Sequence, residues 1–438
     1  MGFHRSRTFK SSQARAHDCA IGALIAGGFA ICWASGLACV AEDAGPAQDS
    51  KAFPPTVVLI SLDGTRPADL SPERLPSLRA VAAVGARARA LVPVNPTNTF
   101  PNHVSLATGV RPEVHRLVNN TFIDPELGLF RRQDPNLWIE SEPIWSVAER
   151  HGLRAAVYFW VGSEGDWLGG PGPSETRKFT SRTLEKTKVN RLLQWLSERD
   201  PAKRPQLIMC WFHGADHESH AHGPDSPEVD SYLRPQDVQI ARLVDEMEQR
   251  GLFESTTLIF VSDHGMTLAS RRVNLSRIYR AAGLRVSVMG GGGFASVSWK
   301  ASDPSRAEMA KAIAAAEAVG LEAYAREKAP ADWHVGDVRF GDLVVRAPIG
   351  TAIVTPASNI EGFHGYDARE PAMAGILVAR GRGVAVGATL GRVSNLSVAP
   401  TVLTLLGLPI PEQMTAPVID ELLVGIKRAG AVSAPAAD

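Results

Sequence analysis

From Phe53 onward the chain alternates short unbroken apolar runs with longer segments of helical period. The runs are "TVVLISLD" (56–63), "RAAVYFW" (154–160), "PQLIMCWF" (205–212), "TTLIFVSD" (256–263) and "AGILVA" (374–379). Continuous apolar runs of this length suit strands buried on both faces of a parallel sheet. Between them, "LPSLRAVAAVGA", "KVNRLLQWLSER" and "PQDVQIARLVDEMEQRG" repeat apolar residues at helical spacing, and the last stops at Gly251. The pattern predicts one α/β domain with a doubly wound, mostly parallel sheet and helices on both faces, spanning residues 56–426. Alternation weakens from "MGGGGFASVSW" to about residue 350, which predicts a small inserted lobe over about 285–350. "NPTNTFPNHVSLATG" (95–109) fits neither period. Its prolines, Pro96 and Pro101, predict a loop that opens into a helix near Asn102.

The amino end differs in kind. Arg5, Arg7, Lys10 and Arg15 precede an uncharged small-apolar run from Cys19 to Val40, and Glu42 and Asp43 follow. This is the layout of a secretory signal over residues 1–41, with an uncleaved membrane anchor as the rival and residues 42–55 as a linker. Residues 427–438 read as a disordered tail. The expected location is exported: periplasmic or secreted, membrane-bound only if the segment is retained. Cys19, Cys32 and Cys39 lie in the signal, so Cys210 would have no disulfide partner in the mature chain. The 438 residues carry 46 basic and 46 acidic side chains without a long basic run. That gives no support to nucleic-acid polymer binding and points to a small partner.

The chemistry sits where the apolar runs end, the rim at which open α/β sheets collect ligands. Asp63 ends the first, Asp216 and His220 follow the third, Asp263 and His264 end the fourth, and His364 in "GFHGYD" precedes the fifth. Any one of these acids alone reads as a helix cap or turn former. Three carboxylates on one rim repel unless cations lie between them, and with three histidines they make an N/O ligand set for zinc or a related ion. Six ligands exceed one tetrahedral site and predict two divalent metals, suited to displacement at phosphorus. Thr97, Thr99 and Ser105 are the candidate hydroxyl nucleophiles, beside a helix start whose free N–H groups would hold a phosphoryl oxygen.

"SLDGTRPADL", "NPTNTFPNHVSLATGVRPEVH", "FWVGSE", "ADHESHAHGP", "VSDHGM" and "FHGYD" resemble, in order, the motifs of nucleotide pyrophosphatase/phosphodiesterases, members of the alkaline phosphatase superfamily. The resemblance runs from about residue 56 to about 410 and implies an alkaline phosphatase-like fold and a hydrolase of phosphodiester or phosphoanhydride bonds. It implies Thr99 as nucleophile, forming a phospho-threonine intermediate. One metal would be held by Asp63, Asp263, His264 and Thr99, the other by Asp216, His220 and His364, most simply as Zn2+. Asn120, next to Asn119, would bind a phosphoryl oxygen, and Phe100 would pack against a nucleobase. His217 and His222 match no family ligand, His103 and His115 are expected to brace the loop, and Tyr366 and Asp367 to be structural. The chain departs from the family's pattern at Asn98 (lysine in "PTKTFPNH"), Val161 (proline), Ser219 and Arg116 (glycines). Charge balance favours a singly charged diester over a monoester unless Arg66 or Arg116 reaches the site. The rivals are a phosphomonoesterase or phosphonate hydrolase of the same superfamily and a non-catalytic binding protein; no sulfatase signature is present.

Overall fold

The computed structural model describes residues 54–300, 303–354 and 359–426. The expected signal segment, most of the linker and the tail lie outside the described residues.

The central sheet has eight strands: β1 (Thr56–Leu62), β2 (Ala86–Val92), β3 (Ala155–Tyr158), β4 (Glu175–Arg177), β5 (Leu207–Phe212), β6 (Thr256–Val261), β7 (Leu377–Gly381) and β8 (Thr389–Ser394). Their order is β8-β2-β7-β6-β1-β5-β3-β4. The apolar runs are continuous because both faces of the sheet are covered. In β1, Val58, Ile60 and Leu62 enter one core, while Val57 and Leu59 enter the other. The first core is closed by helices α1 (Pro76–Val84), α3 (Glu185–Leu196) and α5 (Pro227–Gln249), and the second by α2 (Thr99–Thr108) and α6 (Val398–Leu406). Fully burying each such aliphatic side chain is worth about 1.5–3 kcal/mol. Cys210 is buried in β5, where burial pushes its thiol up to about 12 and leaves it unreactive.

Two features matter for the site. Strand β7 runs antiparallel to both neighbours, β6 and β2, whereas the other pairings in the sheet are parallel. Its entry end therefore lies at the rim where the parallel strands exit, and a residue preceding it, His364, reaches the same edge as residues that follow β1, β5 and β6. Helix α2 begins at Thr99 rather than near Asn102. Pro101 falls in its first turn, where the missing N–H has no intrahelical acceptor to lose.

Residues 286–346 build a separate four-stranded antiparallel sheet, Val286–Gly291, Phe294–Trp299, Leu343–Arg346 and Glu322–Ala325 in spatial order. It packs with helices Leu275–Ala281 and Arg306–Glu317 around its own core. Among the described residues no helix is long and apolar enough to cross a membrane.

Candidate active site

Asp63 leaves β1 with its N–H bonded to the Phe212 carbonyl (2.9 Å). The following Gly64, at φ +64°, turns the chain so closely past Asp216 that a Cβ there would stand 3.2 Å from the Asp216 Cβ. Helix α4 (Gly214–His222) then carries Asp216 and His220 one turn apart on one face. Asp263 and His264 follow β6.

The segment "TFPNH" divides its labour. The Asn102 side chain donates to the Pro96 and Asn98 carbonyls at 3.0 and 2.9 Å and accepts from Val94 N–H, clamping the loop into α2. His103 is fully buried; its Nδ1 donates to the Thr99 carbonyl (2.9 Å) and stands 3.3 Å from Asp263 Oδ2. His115 braces the far end of α2 through the Ser105 hydroxyl, and burial pushes its pKa down to about 3. Thr99 is the first residue of α2, so its N–H has no intrahelical acceptor.

The expected ligands come together as two adjoining groups. In the first, His264 Nε2 lies 3.2 Å from Thr99 Oγ1, 3.2 Å from Asp263 Oδ2 and 3.6 Å from Asp63 Oδ1. In the second, His220 Nε2 lies 3.1 Å from His364 Nε2 and 3.5 Å from Asp216 Oδ2. The His264 and His364 rings stack at 3.9 Å, so the groups share a wall. Asp216, His220 and His364 offer ligand atoms all within 4.8 Å of one another, as do Asp63, Asp216 and His264.

Three observations fit this pocket to cations. The Nδ1 atoms of His220, His264 and His364 face the carbonyls of Gly362, Gly265 and Thr97 at 2.8–3.0 Å. A carbonyl only accepts, so each Nδ1 carries the proton and each Nε2 lone pair is free to ligate. Asp63 Oδ1, Asp216 Oδ1 and Asp263 Oδ2 are buried and accept no hydrogen bond. Burial, together with the Asp263 and Asp216 carboxylates, holds Asp63 well above the ordinary carboxylate range. Burial also acts upward on Asp263, but His264, His103 and the Gly64 N–H outweigh it and hold that group at about 2. Burial and the neighbouring His264 and His220 hold His364 well below the usual imidazole value, in the neutral form a metal requires.

The Trp211 indole donates to Asp63 Oδ2 at 3.0 Å and aims the other oxygen inward. Losing a partner of this kind weakens metal affinity about 10–100-fold. Trp211→Phe should show that loss in chelator competition.

Thr99, Asp63, Asp216, His220 and His364 border a groove of about 640 Å³ whose walls include Phe100 and Asn120. Asn120 Oδ1 accepts the Phe100 N–H (2.8 Å), which leaves its Nδ2 as a donor toward the groove. Asn119 is turned away and only 1% exposed. The groove also contains residues no motif singled out. Phe179, in the polar loop before α3, stacks on Trp211 with ring centroids 4.9 Å apart. The Arg132 guanidinium lies 5.6 Å over the Phe100 ring. Glu164, inside "FWVGSE", carries a buried carboxylate oxygen without a partner. Phe179 and Arg132 sit in irregular loops, whose sequence has no period to reveal them.

Burial raises the Glu164 carboxyl from 4.5 to about 7. Its folded-state value exceeds the unfolded one, so its contribution to stability is complete below about 4.5 and is lost as pH rises through 7. A shift of that size corresponds to about 3 kcal/mol. Glu164→Gln should therefore gain stability relative to the parent between these pH values in urea titrations, and a constant difference would refute the assignment.

His217 and His222 are exposed. Arg66 is held by Asp69 and Asp225 and Arg116 by Asp337 and Glu140, so neither serves the groove. Arg116 takes the left-handed conformation (φ 63°) at the position where the motif has glycine. Tyr366 bonds the Thr351 carbonyl, and Asp367 pairs with Arg346 and Arg369.

The sequence matches the family described as type I phosphodiesterase / nucleotide pyrophosphatase over residues 57–367. A Schizosaccharomyces pombe pyrophosphatase/phosphodiesterase is 31% identical over 349 residues, 75% of this chain and 72% of the relative. An ectonucleotide pyrophosphatase/phosphodiesterase of Caenorhabditis elegans is 29% identical over 84% of this chain and 49% of its own length. Human ectonucleotide pyrophosphatase/phosphodiesterase family member 1 is 32% identical over 50% of this chain and 24% of its own length. The chain thus spans about half and about a quarter of the last two. Murine ectonucleotide pyrophosphatase/phosphodiesterase 5, solved as an inactive variant in complex with AMP, superposes with a TM-score of 0.77 at 24% identity, covering 84% of this chain and 100% of that one. The fold is therefore alkaline phosphatase-like, and with the family match the conclusion is plain: the chain belongs to the type I phosphodiesterase / nucleotide pyrophosphatase family, hydrolases of phosphodiester bonds.

Proposed function

We propose that this protein is a two-metal phosphodiesterase that cleaves small nucleotide-containing diesters or anhydrides through a covalent Thr99 intermediate. The observation that carries this reading is the Thr99 hydroxyl at the start of α2, 3.2 Å from His264 Nε2 and beside buried carboxylate oxygens that accept no hydrogen bond.

Asp63, Asp263, His264 and Thr99 would hold one ion and Asp216, His220 and His364 the other, with zinc as our assignment from the N/O donor set. Two such ions supply Lewis acidity, which neutralises the carboxylates and makes a hydroxyl ionisable near neutral pH. Thr99 Oγ1 forms its bond to phosphorus as the bond to the leaving oxygen breaks on the opposite side. The Thr99 N–H and Asn120 Nδ2 hold a non-bridging oxygen as charge builds on it. Water then attacks the phospho-threonine, and the bond from phosphorus to Thr99 Oγ1 breaks to regenerate the hydroxyl.

Two divalent ions, three carboxylates and an ionised Thr99 leave no net charge. Arg66 and Arg116 are paired elsewhere and Arg132 places its guanidinium over the Phe100 ring, so a singly charged diester fits better than a dianionic monoester. Purified enzyme should cleave bis-p-nitrophenyl phosphate far faster than p-nitrophenyl phosphate; the reverse order would establish the monoesterase reading.

The AMP bound to the murine structure is a nucleotide, and Phe100 and Phe179 offer aromatic faces for a planar base here. Stacking of a base on an aromatic side chain is worth about 1–3 kcal/mol, so Phe100→Ala should raise KM for a nucleotide diester about 10-fold. Bis-p-nitrophenyl phosphate, without a nucleobase, should be affected less. The N-terminal segment we read as an export signal; the amino-terminal sequence of the protein recovered outside the cytoplasm tests it.

A further inference from the structure

A second, smaller groove of about 270 Å³ meets the aromatic one at Asn120, Arg132, His220 and His364. Thr99 and Asp63 line only the larger groove. In an in-line displacement the entering and leaving oxygens stand on opposite sides of phosphorus. The half of the substrate that departs opposite Thr99 therefore emerges on the side bordered by His220 and His364 but not by the nucleophile, which is the smaller groove.

The chemistry of that groove is distinctive. One wall is amide, hydroxyl and bare backbone, from Asn98, Asn119, Thr121 and Gly290–Gly292, and the facing one is apolar, from Ile353, Val354, Ile360 and Phe363. Among the described residues, no Asp, Glu or Lys lines the groove. Its single arginine, Arg132, is shared with the larger groove and places its guanidinium over the Phe100 ring on that side. At the position where the resembling motif carries lysine, this chain has Asn98. Asn98 Nδ2 donates to Asn119 Oδ1 (2.8 Å), and Asn120 N–H donates to the same oxygen (2.8 Å). That fixes the Asn119 amide, and its Nδ2, buried in a side chain 1% exposed, donates to nothing within the protein. A buried donor left unmatched is costly unless a ligand supplies the acceptor. Gly290, at φ +96°, packs its backbone beside that amide: a Cβ there would stand 2.7 Å from the Phe294 carbonyl and 2.9 Å from Asn119 Nδ2.

We propose that the smaller groove receives the leaving half of the substrate and selects an uncharged, hydroxyl-bearing alcohol such as a polyol or sugar, in preference to a polyanionic group such as pyrophosphate. This rests on the phosphodiesterase reading above. Beyond the ion that His220 and His364 would hold at its mouth, a leaving pyrophosphate would bring several negative charges to a groove whose one cationic side chain, Arg132, is shared with the larger groove. An alcohol rich in hydroxyls can accept from Asn119 Nδ2 and donate to the amide and backbone oxygens around it.

The test uses three substrates that share AMP and differ in what leaves: its p-nitrophenyl ester, its glyceryl ester and ATP. The parent enzyme should show kcat/KM for the glyceryl ester at least about 10-fold above that for ATP, the discrimination expected of a site built to hydrogen-bond a hydroxyl. Thr121→Lys places a cation in this groove alone and should raise the ATP-to-glyceryl-ester ratio about 10-fold. Asn119→Asp keeps the accepting oxygen and removes the donor; it should lower kcat/KM for the glyceryl ester about 10-fold more than for the p-nitrophenyl ester. ATP cleaved as well as the glyceryl ester by the parent enzyme overturns the proposal, as does an equal loss on all substrates in Asn119→Asp. Both results leave the phosphodiesterase reading intact if the p-nitrophenyl ester is hydrolysed, whereas failure to hydrolyse that ester sinks the broader reading itself.

Discussion

Replacing Thr99 with alanine is expected to lower kcat for a phosphodiester by about 10⁴-fold or more, the scale seen when an enzyme loses the nucleophile of a concerted group. The variant should still bind its metals. Asp63, Asp263 and His264 remain, oriented by Trp211, the Gly64 N–H and the Gly265 carbonyl, none of which depends on the Thr99 hydroxyl. The fold should also hold, because Thr99 Oγ1 contacts His264 Nε2, within the site, while the loop around it is clamped by Asn102. Thr99→Ser keeps an oxygen at the same place and should recover a measurable part of the activity. The decisive measurement pairs turnover with metal content in each variant. Full activity in Thr99→Ala would remove Thr99 as nucleophile and point to direct attack by water. Loss of metal together with activity would reduce Thr99 to a ligand.

Stripping the protein with a chelator is expected to abolish turnover and to lower thermal stability, both restored by adding zinc. The stability effect follows from the same three carboxylates. In the native state Asp63, Asp216 and Asp263 are brought together with oxygens that accept no hydrogen bond, an arrangement that cations relieve. An ion present at about 1,000 times its dissociation constant stabilises the native state by about 4 kcal/mol. Differential scanning calorimetry with and without chelator reads this as a fall of several degrees in Tm. An unchanged Tm would mean that the cluster holds no ion in the native protein. Trp211→Phe should shift the chelator concentration needed, without changing the end point.

How much of this was legible in the sequence depends on where the information lies. The two-faced burial of β1, β5 and β6 was readable because their apolar runs are unbroken, and a strand covered on both faces has no polar side to alternate with. Asp63 and Asp263 were readable for the same reason, since a charged residue closing an apolar run marks a strand end. The start of α2 was misplaced by three residues because Pro101 reads as a helix breaker, although a first-turn proline costs the helix nothing. The direction of β7 could not be read at all. Its run looks like the parallel strands, and only its pairing with β6 and β2 shows it reversed.

The sequence by itself determined the α/β class, the rim at which the acids collect and, through its motifs, the residues to look for. What the tertiary structure decided was convergence. His364 reaches the rim because β7 is reversed and because its Nδ1 is held by the Thr97 carbonyl, 267 positions away in the chain. Tertiary contacts also took Arg66 and Arg116 out of contention by pairing them with Asp69, Asp225, Asp337 and Glu140. They brought Phe179, Arg132 and Glu164 into one groove and opened a second beside Asn119. The physical reason is the range of the forces involved. Strand and helix patterns come from contacts between near neighbours, which repeat along the chain and so leave a period in it. A site is assembled by single hydrogen bonds and ion pairs between distant loops, and such contacts leave no repeat to read.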